Sequence, residues 1–295
     1  MVRTTAALIA ITAHCILAQP QFEVVSVKPA DPKAVVVGPM ISGGPGTNSP
    51  GHVIYRGASL TYLLMTAYQL KDFQLSGPKW MDTARFYIDA RLPTGTTKDD
   101  LHAMLRSLLV ERFGVAVHRE EKEMPAYDLL VSKHGIKMTP SAPAADDSTA
   151  AEQRMQEGID TDSNGFPIFP AGGPGGFMVM NRAGRMMVGA AQQDIASICD
   201  FLSKQLGAPV KDGTGLSGKY DFHLQYAVDG PITLGRSGPA LPPPPSSADP
   251  APAPGEIPPS LATAIVDQLG LRLERGRAVV EIVVVDSAEK TPAAN

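Results

Sequence analysis

Apolar residues recur along this chain in two rhythms, one of period two and one of period three to four, and they alternate in blocks. Residues 22–28, Phe-Glu-Val-Val-Ser-Val-Lys, are β-branched and partly alternating, which predicts a strand. A loop over 38–51, rich in Gly and Pro, separates it from a short predicted strand, Val53-Ile54-Tyr55. Leu60, Leu63, Leu64, Ala67 and Tyr68 then stand at helical spacing behind Ser59, a good N-cap. A turn at Gly77-Pro78 precedes Trp80, and residues 85–90 predict another strand. Thr97-Lys98-Asp99-Asp100 has the form of a capping box, with Asp for the preferred Glu. The helix it opens carries Leu101, Met104, Leu105, Leu108, Leu109 and Phe113 on one face and stops at Gly114. Residues 115–118 and 126–131 are strand-like, and the charged run Arg119-Glu120-Glu121-Lys122-Glu123 between them is expected to turn, giving a hairpin.

The second half repeats this grammar. Residues 185–188 predict a strand, and Ile195, Ile198, Cys199 and Leu202 a helix that ends at Gly207. A Gly-rich turn leads into the strand Tyr220-Asp221-Phe222-His223-Leu224. Ser260 caps a helix with Leu261, Ala264, Ile265 and Leu269, and Leu269-Gly270-Leu271 mirrors Phe113-Gly114-Val115. A final hairpin is expected to end in the Val-rich run 279–285. The fold class this predicts is α+β: two tandem related modules, each with two helices packed on a small, mostly antiparallel or mixed sheet. The first module spans 19–138 and the second 177–288. Residues 139–176 form a Gly/Pro/Ala-rich linker, 239–259 a Pro-rich insertion and 289–295 a disordered tail.

The first residues change the setting. Arg3 precedes an apolar run over 6–17, about the length of a signal-peptide h-region, so cleavage after Ala18 and a periplasmic or extracellular location are expected. The run is too short to cross roughly 30 Å of hydrocarbon, and no later stretch reaches that length, so no membrane span is expected after cleavage. Thr12-Ala13-His14-Cys15 makes a poor lipidation signal, and whether Cys15 is lipidated stays open. About 277 residues remain, which suggests two domains. Loss of Arg3 makes the charge of −4 one unit more negative. A mildly acidic chain without basic clusters is a poor match for nucleic acid. Cys199 is then the one cysteine left, on the apolar face of its helix, and no internal disulfide is expected.

Candidate chemistry is sparse. Gly213-Thr214-Gly215-Leu216-Ser217-Gly218-Lys219 is nearly a P-loop, but Tyr220 stands where Ser or Thr should bind Mg²⁺ and the chain runs into a strand, not a helix. A tight turn whose glycines supply positive φ accounts for it better. Gly215-Leu216-Ser217-Gly218 also fails the Gly-x-Ser-x-Gly pattern of a nucleophile elbow. His52, His102, His118, His134 and His223 show no ligand spacing, so neither metal nor cofactor is expected. Asp221 is the best-placed carboxylate: it could serve as an acid or base, or accept backbone N–H bonds and stiffen the turn. The positions singled out as structural or interaction candidates are Gly77, Pro78, Trp80, Asp212, Thr214, Gly215, Gly218, Tyr220 and Asp221, with Trp80 expected in the core.

Several stretches together resemble a known family. Residues 22–29, Gly77-Pro78-Lys79-Trp80, residues 104–113, His118-Arg119-Glu120, residues 212–222 and Gln268-Leu269-Gly270-Leu271 are, in order, similar to the soil-associated bacterial protein family, exported proteins without assigned function. Gly213 stands where that family has Lys. The resemblance extends to the extracellular portion of membrane metallopeptidases of the β-lactam-sensor type, although no His-Glu-x-x-His is present here. It implies a sensory or interaction module with an unknown protein partner in the envelope or outside the cell. Each half also resembles the short N-terminal domain of secretins and TonB-dependent receptors. The reading is therefore an exported, non-catalytic binding or sensing module. Two alternatives stand beside it: an extracytoplasmic hydrolase using Asp221 and a spatially assembled His, and a small-molecule binder with its site between the modules.

Overall fold

The computed structural model describes residues 20–31, 41–142, 161–169, 175–182, 184–227 and 258–293. The expected leader, nearly all of the Pro-rich insertion, and residues 143–160 and 170–174 of the expected linker lie outside the described residues.

The chain runs β1 (Val24–Pro29), β2 (Ile41–Gly43), β3 (His52–Ser59), α1 (Leu60–Tyr68), β4 (Leu75–Ser76), α2 (Trp80–Thr83), β5 (Arg85–Arg91), α3 (Lys98–Phe113) and β6 (Ala116–Val131). It continues with β7 (Thr139–Pro140), β8 (Gly176–Arg182), β9 (Arg185–Gln193), α4 (Ile195–Leu206), β10 (Val210–Asp212), β11 (Tyr220–Ala227), α5 (Leu261–Ala264) and β12 (Leu271–Ser287). A single π turn, Ile265–Leu269, extends α5 to Gly270. The caps are those the sequence announces. The Ser59 hydroxyl accepts from the Tyr62 amide, and Thr97 and Asp100 close a reciprocal capping box. Gly114, Gly207 and Gly270 end their helices in the left-handed region.

Among the described residues three sheets form, in the orders β1-β5-β3-β2, β10-β6-β12-β4 and β7-β11-β9-β8. The first and third are antiparallel throughout, and each covers one core. Leu60, Leu63 and Leu64 of α1 and Leu105, Leu109 and Phe113 of α3 pack on Val53, Tyr55, Phe86 and Ile88, all at most 2 % exposed. In the second core Ile198 and Leu202 of α4 and Ile265 and Leu269 beyond α5 pack on Val188, Phe222 and Leu224. The α+β class and the packing of two helices on each small sheet are as the sequence predicts.

The middle sheet departs from prediction. Neither expected hairpin forms: β6 is one strand of 16 residues and β12 one strand of 17, paired antiparallel along nearly their whole length. The charged run 119–123 does not turn because it holds no Gly, Pro, Asn or Asp, and its charges find partners across the ribbon. Arg119 pairs with Glu281 at 2.5 Å and Arg277 with Glu123 at 2.9 Å. The ribbon serves both cores, with Val117 and Val285 in the first and Leu129 and Leu271 in the second. The boundary drawn at residue 138 is therefore not a clean division of the fold. Residues 139–176 are not wholly a linker either: Thr139–Pro140 pairs with β11, and β8 begins at Gly176. Residues 161–169 fold onto the third sheet. The expected loop 38–51 contains β2, and β4, β7, β8 and β10 are strands that the sequence pattern does not predict.

The correspondence between the halves extends to register. The strand orders of the first and third sheets match position for position, and the same interval separates Ser59 from Leu75 as separates Asp194 from Val210. Each central pair carries one bulge, between Tyr55 and Ala58 in the first unit and opposite the step Tyr220/Phe222 in the second. Positive φ falls at matching bulge positions, Gly57 (67°) and Gln192 (54°). The small strands cross over. β4 of the first half pairs parallel with β12, Leu75 beside Val283, and β10 of the second pairs parallel with β6, Val210 beside Tyr127. These joints are symmetric about the cross-strand pair Glu123–Val279.

Candidate functional site

The turn between β10 and β11 gathers most of the candidate residues, and local hydrogen bonds explain its shape. The Asp212 carboxylate accepts from the Thr214 amide (2.8 Å) and hydroxyl (2.7 Å), and the Thr214 hydroxyl accepts from the Leu216 amide (3.1 Å). The Gly213 amide donates to the Leu129 carbonyl at 2.9 Å, tying the turn to β6. Gly215 and Gly218 adopt φ of 67° and 99°, which supplies the reversal that leads into β11. No helix follows Lys219, so the cradle a P-loop needs is not formed.

Along β11, Tyr220 and Phe222 face the core and Asp221 the other side, as period two dictates. The Tyr220 hydroxyl donates to the Ser217 carbonyl at 3.0 Å. Asp221 Oδ1 accepts from the Gln192 amide at 2.7 Å and from the Ser141 hydroxyl at 2.5 Å. It holds the bulge residue with positive φ and clips β7's exit to the same point. Of the two roles open to this carboxylate, these bonds are those of a turn-stiffening acceptor. Its strand neighbour His223 is stacked on Phe166 at 4.6 Å.

The remaining candidates lie in the first unit. Gly77 and Pro78 lead into α2, where the Met81 amide donates to the Pro78 carbonyl at 3.1 Å. A Cβ on Gly77 would come within 2.8 Å of Met81 Cε and 3.3 Å of Val285, so the glycine admits β12. Trp80 is partly buried against the first core. The structure brings Asp212, Thr214, Gly215, Gly218, Tyr220 and Asp221 together and leaves Gly77, Pro78 and Trp80 apart from them. Among the histidines, His52 bonds Asp89 at 2.7 Å and His118 bonds Asp286 at 2.8 Å, both at the surface. Among the described residues no three of His, Cys, Asp and Glu converge as metal ligands would. Cys199 is buried and unpaired; burial pushes its thiol up to about 11, and the Asp212 charge adds to this.

Two surfaces went unmarked in the sequence. The outer face of the third sheet is covered by residues 161–169. Phe166 stacks on His223, and the Pro167 carbonyl occupies the space a Cβ on Gly189 would need. The Asp162 carboxylate accepts the Asn164 and Phe166 amides at 2.9 and 2.8 Å and fixes this cover. The matching face of the first sheet is left open by the described residues. Asp89 and Ile54 stand where His223 and Gly189 stand, Val24 is 63 % and Tyr87 36 % exposed, and Lys28 and Arg91 are exposed beside them. The second surface is an open groove of about 520 Å³ between β8 and α4, floored by Phe177 and Phe201, whose rings stack at 4.7 Å. A run of apolar residues at 177–180 was the available signal for β8.

The model of the family "Protein of unknown function (DUF3738)" matches residues 61–288, from α1 to the last strand. The chain belongs to the DUF3738 family. The match takes in the crossed ribbon, the second unit and the first unit from α1 onward, while β1, β2 and β3 of the first sheet precede it. No curated protein and no solved structure matches the chain. Among the described residues no helix of this DUF3738 protein is long and apolar enough to cross a membrane.

Proposed function

We propose that this protein is an exported, non-catalytic docking module of the cell envelope, and that the open face of its first sheet receives a segment of a protein partner. The observation that carries the reading is the contrast between matching faces. In the second unit that face holds a chain segment, Phe166 on His223 and Pro167 over Gly189. In the first, the described residues leave it open with Tyr87, Val24 and Arg91 outward. An exposed aromatic among charged neighbours is a common anchor for protein recognition. Export is supported by the charged start and apolar run over 6–17. The matched orders, registers and bulges support descent of the two units from one by duplication. The bonds that occupy Asp221 favour docking over hydrolysis, since they engage the carboxylate that a hydrolase would need.

The test is a photo-crosslinking residue at position 87 in the native cell, with one at exposed Lys133 as control. The docking reading expects a discrete adduct from 87 that Ile54→Glu abolishes, and none from 133. Identical labelling from both positions would remove its basis.

A further inference from the structure

We propose that β8 is a self-association edge: two copies of this chain join β8 to β8 antiparallel, extending two four-stranded sheets into one of eight. The inference is independent of the docking face, which lies on the other unit.

β8 is the outermost strand of its sheet, and its outer edge has no partner among the described residues. An edge strand presents a row of unmet N–H and C=O groups, and proteins that avoid pairing blunt such edges with charge, Pro, a bulge or brevity. The first unit does so. Its matching edge, β2, is three residues long and breaks at Gly43 and Gly44, with φ of 77° and 93°. The second unit does not. β8 is seven residues long, Gly-Phe-Met-Val-Met-Asn-Arg, without Pro and without charge before Arg182. Val179 on its helix-facing side is 42 % exposed, and Phe177 on the same side lines the groove beside α4. Such an edge specifies its occupant's backbone as an extended strand, and the stacked rings of Phe177 and Phe201 ask for an apolar side chain beside them, in a groove otherwise lined by Gln193, Asp194, Ala196, Ser197, Asp200 and Lys204.

A second β8 meets both demands. Antiparallel pairing centred on Met178 sets Phe177 opposite Val179 of the other copy, Met178 opposite Met178, and Gly176 opposite Met180. Every cross-strand pair is then apolar or Gly, and Arg182 falls beyond the joint. The two-fold axis preserves the faces, so each copy's Val179 lies beside the other's Phe177 at the edge of its groove. A joint this short buries less than the ~1,200 Å² of a standard stable interface, so a weak dimer, with a dissociation constant on the order of tens of micromolar, is expected.

Sedimentation equilibrium on the full-length protein tests this. The expected result is a monomer–dimer equilibrium that Val179→Lys shifts to monomer by at least about tenfold in dissociation constant, with an unchanged circular dichroism spectrum and melting temperature. Register is tested by Met178→Cys. Directly opposed residues in an antiparallel pair lie about 4.5–5.5 Å apart at Cα, within disulfide reach. Met178→Cys should therefore crosslink the dimer on mild oxidation, while Met180→Cys, opposite Gly176, should not. A monomer up to several hundred micromolar overturns the proposal. So does a dimer indifferent to Val179→Lys, or equal crosslinking by the two cysteine variants. Loss of the adduct at position 87 with the dimer intact would sink the docking reading alone.

Discussion

Asp221 and Gln192 should be energetically coupled, and the coupling can be worked out from the geometry. The carboxylate accepts the Gln192 amide and the Ser141 hydroxyl, and Gln192 sits at φ 54°, where the first unit places Gly57. Hydrogen bonds to a charged acceptor contribute about 1.5–3 kcal/mol when buried, and Asp221 is only half-buried, so the lower end applies. Asp221→Asn keeps an acceptor and loses the charge, an expected cost of about 1 kcal/mol. Asp221→Ala leaves the bulge amide without its partner, an expected cost of about 2–3 kcal/mol. Gln192→Gly relieves about 1 kcal/mol of left-handed strain and raises unfolded-state entropy by a similar amount, so alone it should be nearly neutral. With Gly at 192 the turn needs less holding, and Asp221→Ala should then cost about 1 kcal/mol less than it does beside Gln. Urea unfolding of the four proteins in this cycle measures the difference directly. In thermal melts about 1 kcal/mol corresponds to roughly 2–4 °C for a chain of this size. Additivity within ~0.3 kcal/mol would refute the coupling. An enzymatic activity lost by Asp221→Asn at unchanged stability would refute the structural role altogether.

Gly218→Ala should cost about 1 kcal/mol in equilibrium unfolding, because space is open around it and only its φ of 99° resists a side chain. The two helix-ending glycines should differ. Gly114→Ala meets nothing closer than the Glu289 side chain at 3.7 Å and should cost about 1 kcal/mol. Gly270→Ala adds a collision with the backbone of Gly135–Lys137 and should lose a further ~1–3 kcal/mol, with equal costs for the two speaking against the close approach. Cys199 should resist a thiol reagent at pH 8 until denaturant is added. Because folding raises its pKa from 9.0 to about 11, stability linked to the thiol is present below pH 9 and declines as pH rises from 9 to 11; alkylation of the native protein at the rate of a free thiol would contradict this.

The elements whose physics is local were legible in the sequence. Helices announced by Ser59, Thr97 and Ser260 and closed by Gly114, Gly207 and Gly270 stand where spacing and caps put them. Tyr220 and Phe222 are buried with Asp221 turned away, because alternation leaves no other choice. The long ribbon was not legible, since what keeps Arg119–Glu123 extended is the partner strand far along the chain. One local hint was present, the absence of any turn-forming residue in that run. Short strands such as β4 and β10 carry too few residues for a period and exist only because the ribbon offers them an edge. Residues 161–169 look like linker by composition. They are held by Asp162 and by Phe166 meeting His223, which no windowed reading could pair.

The crossed ribbon also governs the order in which this protein can be completed during synthesis. β6 emerges early, but its partner β12 ends at Ser287, and β4 has nowhere to add until β12 arrives. Until β12 has been synthesised, the first unit therefore keeps unmet strand edges, a slow and aggregation-prone interval typical of high contact order. A nascent chain stopped before Leu271 should bind chaperones far longer than the full one. Separately produced halves should reassemble with each other more readily than either folds alone.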